Sequence, residues 1–258
     1  MHTACQNEFG IVIVGHGTRD PDGVREFEEL VALTRERCGG RMLTRGFVEL
    51  TQPTIGEAIR ENVCAGSQKI VVLPGLLLAA GHAKEDIPAE IDAARREFPS
   101  VEIRCAQPLG LHPFALEVMR EKIADAEARS GKIGRRSETC LVVAARGSSD
   151  AEANSDAAKL ARMLEQTMGF GASLVCFAAA AKPSLDEGLA LAARPGISRV
   201  VMAPFILSTG FVVNQIRSAC AEFSKAHADM DVLIAGHLGP HPLLADALLE
   251  RAAAAVQP

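Results

Sequence analysis

The stretch GHGTRD, Gly15–Asp20, recurs 130 residues later as ARGSSD, Ala145–Asp150, and this recurrence decides the fold. Other landmarks follow in the same order in both halves, at a spacing of 130 that becomes 129 after one deletion. They are Pro53 with Pro183, Pro74 with Pro204, Gly81 with Gly210, Ile87 with Ile216, and Leu109–Pro113 with Leu238–Pro242. Ordered matches at a nearly fixed spacing indicate an internal duplication.

Each half contains four short β-rich segments separated by amphipathic stretches with helical periodicity. The predicted strands are Phe9–Val14, Met42–Phe47, Lys69–Leu73 and Val101–Ala106, then Thr139–Ala144, Ser173–Phe177, Arg199–Ala203 and Asp231–Ala235. Strict alternation of strand and helix favours parallel sheets with helices on both faces. We therefore predict an α/β protein with two similar lobes, 1–130 and 138–258, each a four-stranded parallel sheet. The charged segment Asp125–Glu138 is the predicted connection between them.

Composition excludes several classes of function. The net charge is −5 and no stripe of Lys and Arg appears, so a nucleic acid is not the expected partner. The longest apolar runs are too short to cross a bilayer, so no membrane partner is expected. Seven cysteines lie scattered without a C-x-x-C pair, which disfavours a zinc knuckle and suits a reducing compartment. Because Met1–Gly10 also lacks the pattern of a signal peptide, we expect a cytoplasmic protein.

His16 lies just after the first predicted strand, between two glycines that permit a sharp turn and close approach by a ligand. Gly15-His16-Gly17 resembles the start of a dinucleotide fingerprint, but Asp20 occupies the position of the third glycine. The chain has no Walker A, G-x-S-x-G or H-E-x-x-H segment. Two other interpretations of His16 remain: a histidine that caps the next helix, and a phosphate-accepting histidine, although the arginine that usually precedes the latter is missing.

His82 follows the third predicted strand and begins a helical stretch. The positive end of a helix dipole disfavours imidazolium, and neutral imidazole is the form that binds metals. Alternatively, His82 is an ordinary residue at a helix N-terminus. In small doubly wound sheets the first and third strands commonly lie side by side, and ligands bind at their carboxyl ends. His16 and His82 are therefore expected to face one another across such a crevice.

The duplication sharpens the prediction for these two histidines. The matching positions in the second lobe carry Arg146 and Phe211. Histidines that only supported the fold would more often be kept in both copies. We infer that one lobe holds the chemistry, while the other supplies a cation and an apolar surface. His112 and His241, by contrast, match across the repeat, so a shared structural or pocket-lining role is expected for them.

Glu49 follows the second predicted strand, and Ala179 occupies the matching position in the second lobe. A carboxylate near two neutral imidazoles would suit a divalent cation or a departing proton. The alternative is a solvated loop residue.

Together these segments resemble the sirohydrochlorin chelatase family, in particular its long, two-lobed CbiX-type cobaltochelatases. The resemblance extends over nearly the whole chain, and its specificity lies in the ordered set of motifs. They are Val14–Arg19, Glu49–Ile55, Leu73–Pro88, Arg146–Asp150, Gly169–Phe177 and Pro204–Gly210.

The resemblance implies insertion of a divalent metal into sirohydrochlorin without ATP. It implies that His16 and His82 hold the metal, that His16 also accepts a proton, and that Gln52 and Leu77, Leu78, Ala79, Ala80 and Gly81 contact the substrate. Many members of the family carry a carboxylate where Gln52 stands. Because the substrate carries many carboxylates, we expect a local positive field from Arg19, Arg45, Lys84 and Arg146.

Nitrogen ligands suit cobalt, nickel and iron alike, so the residues do not select the metal. Cobalt insertion for cobalamin synthesis is the first hypothesis, and iron insertion for sirohaem synthesis is the second. Two other interpretations remain: a carrier that binds a tetrapyrrole or a metal, and a purely structural protein. No cofactor is expected besides the substrate metal. A monomer is expected, because two lobes in one chain can place one over the other's site.

Overall fold

The computed structural model describes residues 9–78, 81–132 and 134–257, and of residues 82 and 83 only the backbone. The chain forms two compact units. Unit 1 contains the described residues up to Gly110 and those from Pro240 onward. Unit 2 contains the described residues of Leu111–Gly239.

Unit 1 is a four-stranded parallel sheet with the strand order β2-β1-β3-β4. A π-helical turn, His82–Asp86, precedes its third helix. The elements are β1 (Gly10–Gly15), α1 (Pro21–Arg37), β2 (Leu43–Phe47), α2 (Ile55–Cys64), β3 (Lys69–Pro74), α3 (Ile87–Glu97), β4 (Glu102–Cys105) and the last helix of the chain, α8 (Pro242–Val256).

Unit 2 repeats this sheet with the order β6-β5-β7-β8. It begins with a helix that follows the first sheet in sequence. The elements are α4 (Pro113–Ser130), a 3₁₀ turn (Arg136–Glu138), β5 (Thr139–Ala145), α5 (Ala151–Met168), β6 (Ala172–Phe177), α6 (Leu185–Ala192), β7 (Arg199–Pro204), α7 (Phe211–Ala226) and β8 (Asp231–Ile234). The predicted two-lobed α/β fold with parallel sheets is confirmed.

The two units divide the chain differently from the predicted lobes, 1–130 and 138–258. Helix α4 packs against α5, β7 and β8 in unit 2, whereas α8 packs against α1, β3 and β4 in unit 1. Both helices follow copies of the same L-G-x-H-P motif, so either can cover the equivalent face of a sheet. Exchange of equivalent elements needs little new complementarity. The sequence pattern therefore does not reveal which helix covers which sheet.

The helix starts repeat between the units with the same chemistry. Asp20 and Asp150 each accept a hydrogen bond from the first turn of α1 and α5. Helices α2 and α6 each begin with a capping box, built by Thr54 and Glu57 and by Ser184 and Glu187. These side chains satisfy backbone N–H groups that have no partner within the helix.

Histidines cap the N-termini of α4 and α8. Nδ1 of His112 accepts a hydrogen bond from the Phe114 N–H at 3.3 Å, and Nδ1 of His241 accepts one from the Leu243 N–H at 3.2 Å. The shared structural role expected for this pair is confirmed.

Both cores are aliphatic. In unit 1, side chains of β1 and β3 such as Val12 and Val72 pack against α2 and α3. The core of unit 2 includes three cysteines, and burial raises the pKa of Cys140 to about 11 and the pKa of Cys176 and Cys220 to about 12. They therefore act as small buried apolar groups. Within the described ranges, no helix is long and apolar enough to cross a membrane.

Candidate functional site

The central strand of unit 1, β1, lies between β2 and β3. The loops that follow these three strands therefore meet at one edge of the sheet, where parallel strands present their carboxyl ends. The Gly75 N–H donates to the Val14 carbonyl at 2.8 Å and joins the loop after β3 to the end of β1. The predicted neighbourhood of the first and third strands is confirmed.

His16 is the first residue beyond β1, and its side chain is 30% exposed. Its Nδ1 lies 3.1 Å from the Gly17 carbonyl oxygen. In the tautomer with the proton on Nδ1, the ring donates to this carbonyl. In that tautomer the basic lone pair of the ring lies on Nε2.

Glu49 brings a carboxylate to the same place. Its Oε1 lies 3.7 Å from Nδ1 of His16, and its side chain is 48% exposed. The backbones of the two residues are also joined, because the Glu49 N–H donates to the His16 carbonyl at 3.1 Å. The structure thus brings together the histidine and the carboxylate that the sequence placed on separate loops.

Gly17 permits this close approach of the loops. Its φ is +92°, and a Cβ atom at this position would lie 1.7 Å from the Glu49 carbonyl oxygen. Any side chain here would push the loop after β2 away from His16. Glycine is therefore required for steric as well as conformational reasons.

The ring of Phe27, on α1, lies next to the ends of β1 and β3. A Cβ atom on Gly15 would lie 2.9–3.1 Å from the Phe27 ring, and one on Gly75 would lie 3.1 Å from it. The ring also packs against Phe47, with 5.1 Å between centroids. The two glycines leave room for a ring directly beneath the ends of β1 and β3.

The predicted substrate-contacting residues lie in several places. Gln52 and Gly81 are exposed, and Leu77 and Leu78 are half-buried. Ala79 and Ala80 lie outside the described residues, as does the side chain of His82, whose backbone begins the π-helical turn. π-Helical turns occur frequently at functional sites.

The cations expected to form a positive field differ in their surroundings. Arg45 forms an ion pair with Glu28, which offsets its charge. Arg19 and Lys84 are exposed in unit 1, and Arg146 is exposed after β5 in unit 2. Among the side chains that the structure describes, no group of three or more His, Cys, Asp and Glu could hold a metal ion.

Sequence reasoning missed the residues that support His16 and Glu49. The Thr51 hydroxyl binds the backbone of Thr18 in the loop after β1, and the Phe27 ring lies beside Gly15 and Gly75 at the ends of β1 and β3. One signal was available in the repeat: Gly15, Phe27 and Gly75 correspond to Ala145, Ala157 and Phe205, which is an exchange of small and large residues.

The fold and the site define a class of α/β protein that places histidine and carboxylate side chains at the carboxyl ends of neighbouring parallel strands. The family model CbiX matches residues 10–126 and 140–255. The chain belongs to the CbiX family.

Two relatives and one solved structure are similar over most of the chain. Sirohydrochlorin cobaltochelatase of Priestia megaterium is 31% identical over 94% of this chain and 78% of its own length. Sirohydrochlorin ferrochelatase of the same organism is 29% identical, covering 96% and 92%. The structure of SirB from Bacillus subtilis with Fe³⁺ superposes with a TM-score of 0.83 at 28% identity, covering 94% of this chain and 93% of that one.

Proposed function

We propose that this protein inserts a divalent metal ion into sirohydrochlorin without ATP, at the carboxyl edge of the unit 1 sheet. Membership of the CbiX family and likeness to both sirohydrochlorin cobaltochelatase and ferrochelatase support this proposal. The observation that carries it is the placement of His16 and Glu49, 3.7 Å apart, where β1 and β2 end. His16 and His82 are the proposed metal ligands.

The reaction exchanges two pyrrole N–H protons for one divalent cation, so the site must hold the metal loosely and accept a proton. In the tautomer of His16 that donates from Nδ1 to the Gly17 carbonyl, the Nε2 lone pair serves either task. Glu49 beside Nδ1 stabilises the imidazolium that forms when the ring takes a proton. Two imidazoles leave coordination positions open for the macrocycle nitrogens.

A flat macrocycle also needs an apolar surface. Leu50, next to Glu49, is 54% exposed and adopts a positive φ of 62°. Leu77 and Leu78 contribute half-buried side chains after β3. We propose that these leucines contact the face of the tetrapyrrole, together with Ala79, Ala80, Gly81 and Gln52. Arg146 is proposed to attract its carboxylates.

Cobalt is the proposed metal, within cobalamin synthesis, and the cobaltochelatase of Priestia megaterium supports it. Iron is the second candidate, favoured by the similar ferrochelatase and by the Fe³⁺ in the SirB structure. No cofactor besides the substrate metal is proposed. We also propose a monomer acting in the cytoplasm, because the duplication supplies two lobes in one chain and the scattered cysteines suit a reducing compartment.

Turnover with cobalt or iron tests the proposal. The purified chain is expected to convert many equivalents of sirohydrochlorin. Conversion is measured as the loss of the absorption spectrum of the free macrocycle. His16→Ala is expected to reduce kcat by about 10³-fold, because it removes both a ligand and a base. Stoichiometric conversion would indicate a carrier, and a folded His16→Ala variant with full activity would refute the assignment of His16.

A further inference from the structure

The hydroxyl of Thr51 joins the loop after β2 to the loop after β1. Its Oγ accepts a hydrogen bond from the Thr18 N–H at 3.2 Å and donates one to the Thr18 carbonyl at 3.1 Å. One side chain therefore satisfies both backbone groups of a residue 33 positions away. The pair of bonds fixes the relative position of the loops at this point.

The same two loops carry His16 and Glu49. The Glu49 N–H donates to the His16 carbonyl at 3.1 Å, and the Thr51 N–H donates to the Glu49 carbonyl at 2.7 Å. Residues 16–18 and 49–51 are thus joined at both ends, by backbone at His16 and by the Thr51 hydroxyl at Thr18. The separation of 3.7 Å between the imidazole and the carboxylate is too long for a hydrogen bond. The loops that carry these two groups are held by the backbone bond at His16, by the bond from the Val48 N–H to the Gly15 carbonyl at 3.0 Å, and by the Thr51 hydroxyl.

The second copy satisfies the same backbone groups differently. Ser148 corresponds to Thr18, and Ala181, which has no hydroxyl, corresponds to Thr51. The Ser148 N–H donates to Oδ1 of Asn154 at 3.0 Å, and Nδ2 of Asn154 donates to the Ser148 carbonyl at 2.7 Å. This clamp stays within one segment of chain, and Asn154 belongs to α5. The side-chain link between loops is found in the unit that carries His16 and Glu49.

We propose that Thr51 is a positioning residue for metal insertion: its hydroxyl keeps the Glu49 carboxylate against the His16 imidazole. The proposal rests on the function proposed above. Its physical basis is that small displacements of catalytic groups reduce rates strongly. The two hydrogen bonds between the Thr51 hydroxyl and the Thr18 backbone, by contrast, contribute only modestly to folding.

Three variants test this inference. Thr51→Val keeps the side-chain shape but removes the hydroxyl, Thr51→Ser keeps the hydroxyl, and Asn154→Leu breaks the equivalent clamp in unit 2. We expect Thr51→Val to lower kcat by about tenfold, with less than about a twofold change in KM for sirohydrochlorin. Thr51→Ser is expected to keep the wild-type kcat. Asn154→Leu is expected to lower Tm by about as much as Thr51→Val does, but to leave kcat unchanged.

Binding of Co²⁺ alone, measured by calorimetry, gives a readout that does not depend on turnover. Thr51→Val is expected to weaken it by about threefold or more, and Asn154→Leu to leave it unchanged. A wild-type kcat and Co²⁺ affinity in Thr51→Val would overturn the inference. Equal losses in Thr51→Val and Asn154→Leu would overturn it too, since they would indicate a general effect of stability. If the wild type fails to turn over but Thr51→Val alone weakens Co²⁺ binding, the proposed function fails, while the role of Thr51 in positioning the metal-binding groups stands.

Discussion

Two pairs of loops have the same backbone conformation and hydrogen bonding but different functional side chains. They are the loops after β1 and β2 in unit 1 and the loops after β5 and β6 in unit 2. In both units a glycine with positive φ, Gly17 or Gly147, lies under a carbonyl of the neighbouring loop. The hydrogen bond from the Glu49 N–H to the His16 carbonyl is repeated from Ala179 to Arg146 at 2.8 Å. The backbone was kept after duplication, while the histidine and the carboxylate occur in one copy.

The second difference concerns what supports these loops. In unit 1 a large ring, Phe27, lies on the helix beneath two glycines at the strand ends. In unit 2 the helix carries Ala157, the end of β5 carries Ala145, and the buried ring of Phe205 takes the place of Gly75. At these matching positions, small and large residues are thus exchanged between the two units.

The largest expected effect on stability comes from breaking this packing in unit 1. Phe27→Ala is expected to lower the free energy of unfolding by about 3 kcal/mol, because it leaves a cavity. Gly15→Ala alone is expected to cost about 2 kcal/mol, because its Cβ would overlap the Phe27 ring. Denaturant unfolding measures both values.

The double variant tests whether the cost of Gly15→Ala comes from the Phe27 ring. With Phe27→Ala already present, Gly15→Ala is expected to cost less than about 0.5 kcal/mol, since the overlapping ring is gone. An equal cost of Gly15→Ala in both backgrounds would contradict the proposed overlap with the ring.

A charge pair at the start of the third and fourth strands gives a smaller effect. In unit 2, Nε of the buried Arg199 donates to Asp231 at 2.7 Å, and Nζ of Lys132 donates to it at 2.8 Å. Lys69 and Glu102, at the matching positions of unit 1, are 3.6 Å apart, and their side chains are 56% and 40% exposed. Partial burial raises the pKa of Asp231, but the hydrogen bonds from Lys132 and Arg199 outweigh burial and hold the pKa below the ordinary value of an aspartate.

A lowered pKa in the folded state means that Asp231 contributes stability that is fully present above the pKa of an aspartate in the unfolded chain and is lost as the pH falls through the folded pKa. Asp231→Asn is expected to cost about 1 kcal/mol at pH 7 and to flatten the acid side of the pH–stability curve. Glu102→Gln is the matched variant in unit 1, with a smaller expected change because its pair is exposed. An unchanged acid limb in Asp231→Asn would contradict this assignment.

The smallest expected effect concerns Arg146, the residue that replaces His16 in unit 2. Arg146→Glu is expected to raise KM for the polycarboxylate substrate about threefold at low salt and to have little effect at high salt, because exposed charges are screened. Arg162→Glu, the same charge reversal on α5, is the control. An unchanged KM at low salt would remove Arg146 from the proposed substrate-binding residues.

The sequence predicted the duplication, the strands and the edge of the sheet where His16 and Glu49 lie. These features follow from local patterns: buried strands are apolar runs, and parallel strands place the loops after them together. The support of the site was not predictable in the same way. In the sequence, Phe27 is one apolar helix residue among several and Thr51 is one loop residue among several. Their supporting roles follow from contacts with distant segments, which the sequence pattern does not show.

By itself, then, the sequence determined that the fold is repeated and that GHGTRD carries a histidine in one copy alone. Tertiary structure decided which sheet is covered by α4 and which by α8, since both helices follow the same L-G-x-H-P motif and pack against different sheets. It also decided the contact of His16 Nδ1 with the Gly17 carbonyl and the clamp at Thr51. Both depend on hydrogen bonds whose partners are set by backbone geometry, either at Gly17 or 33 residues along the chain.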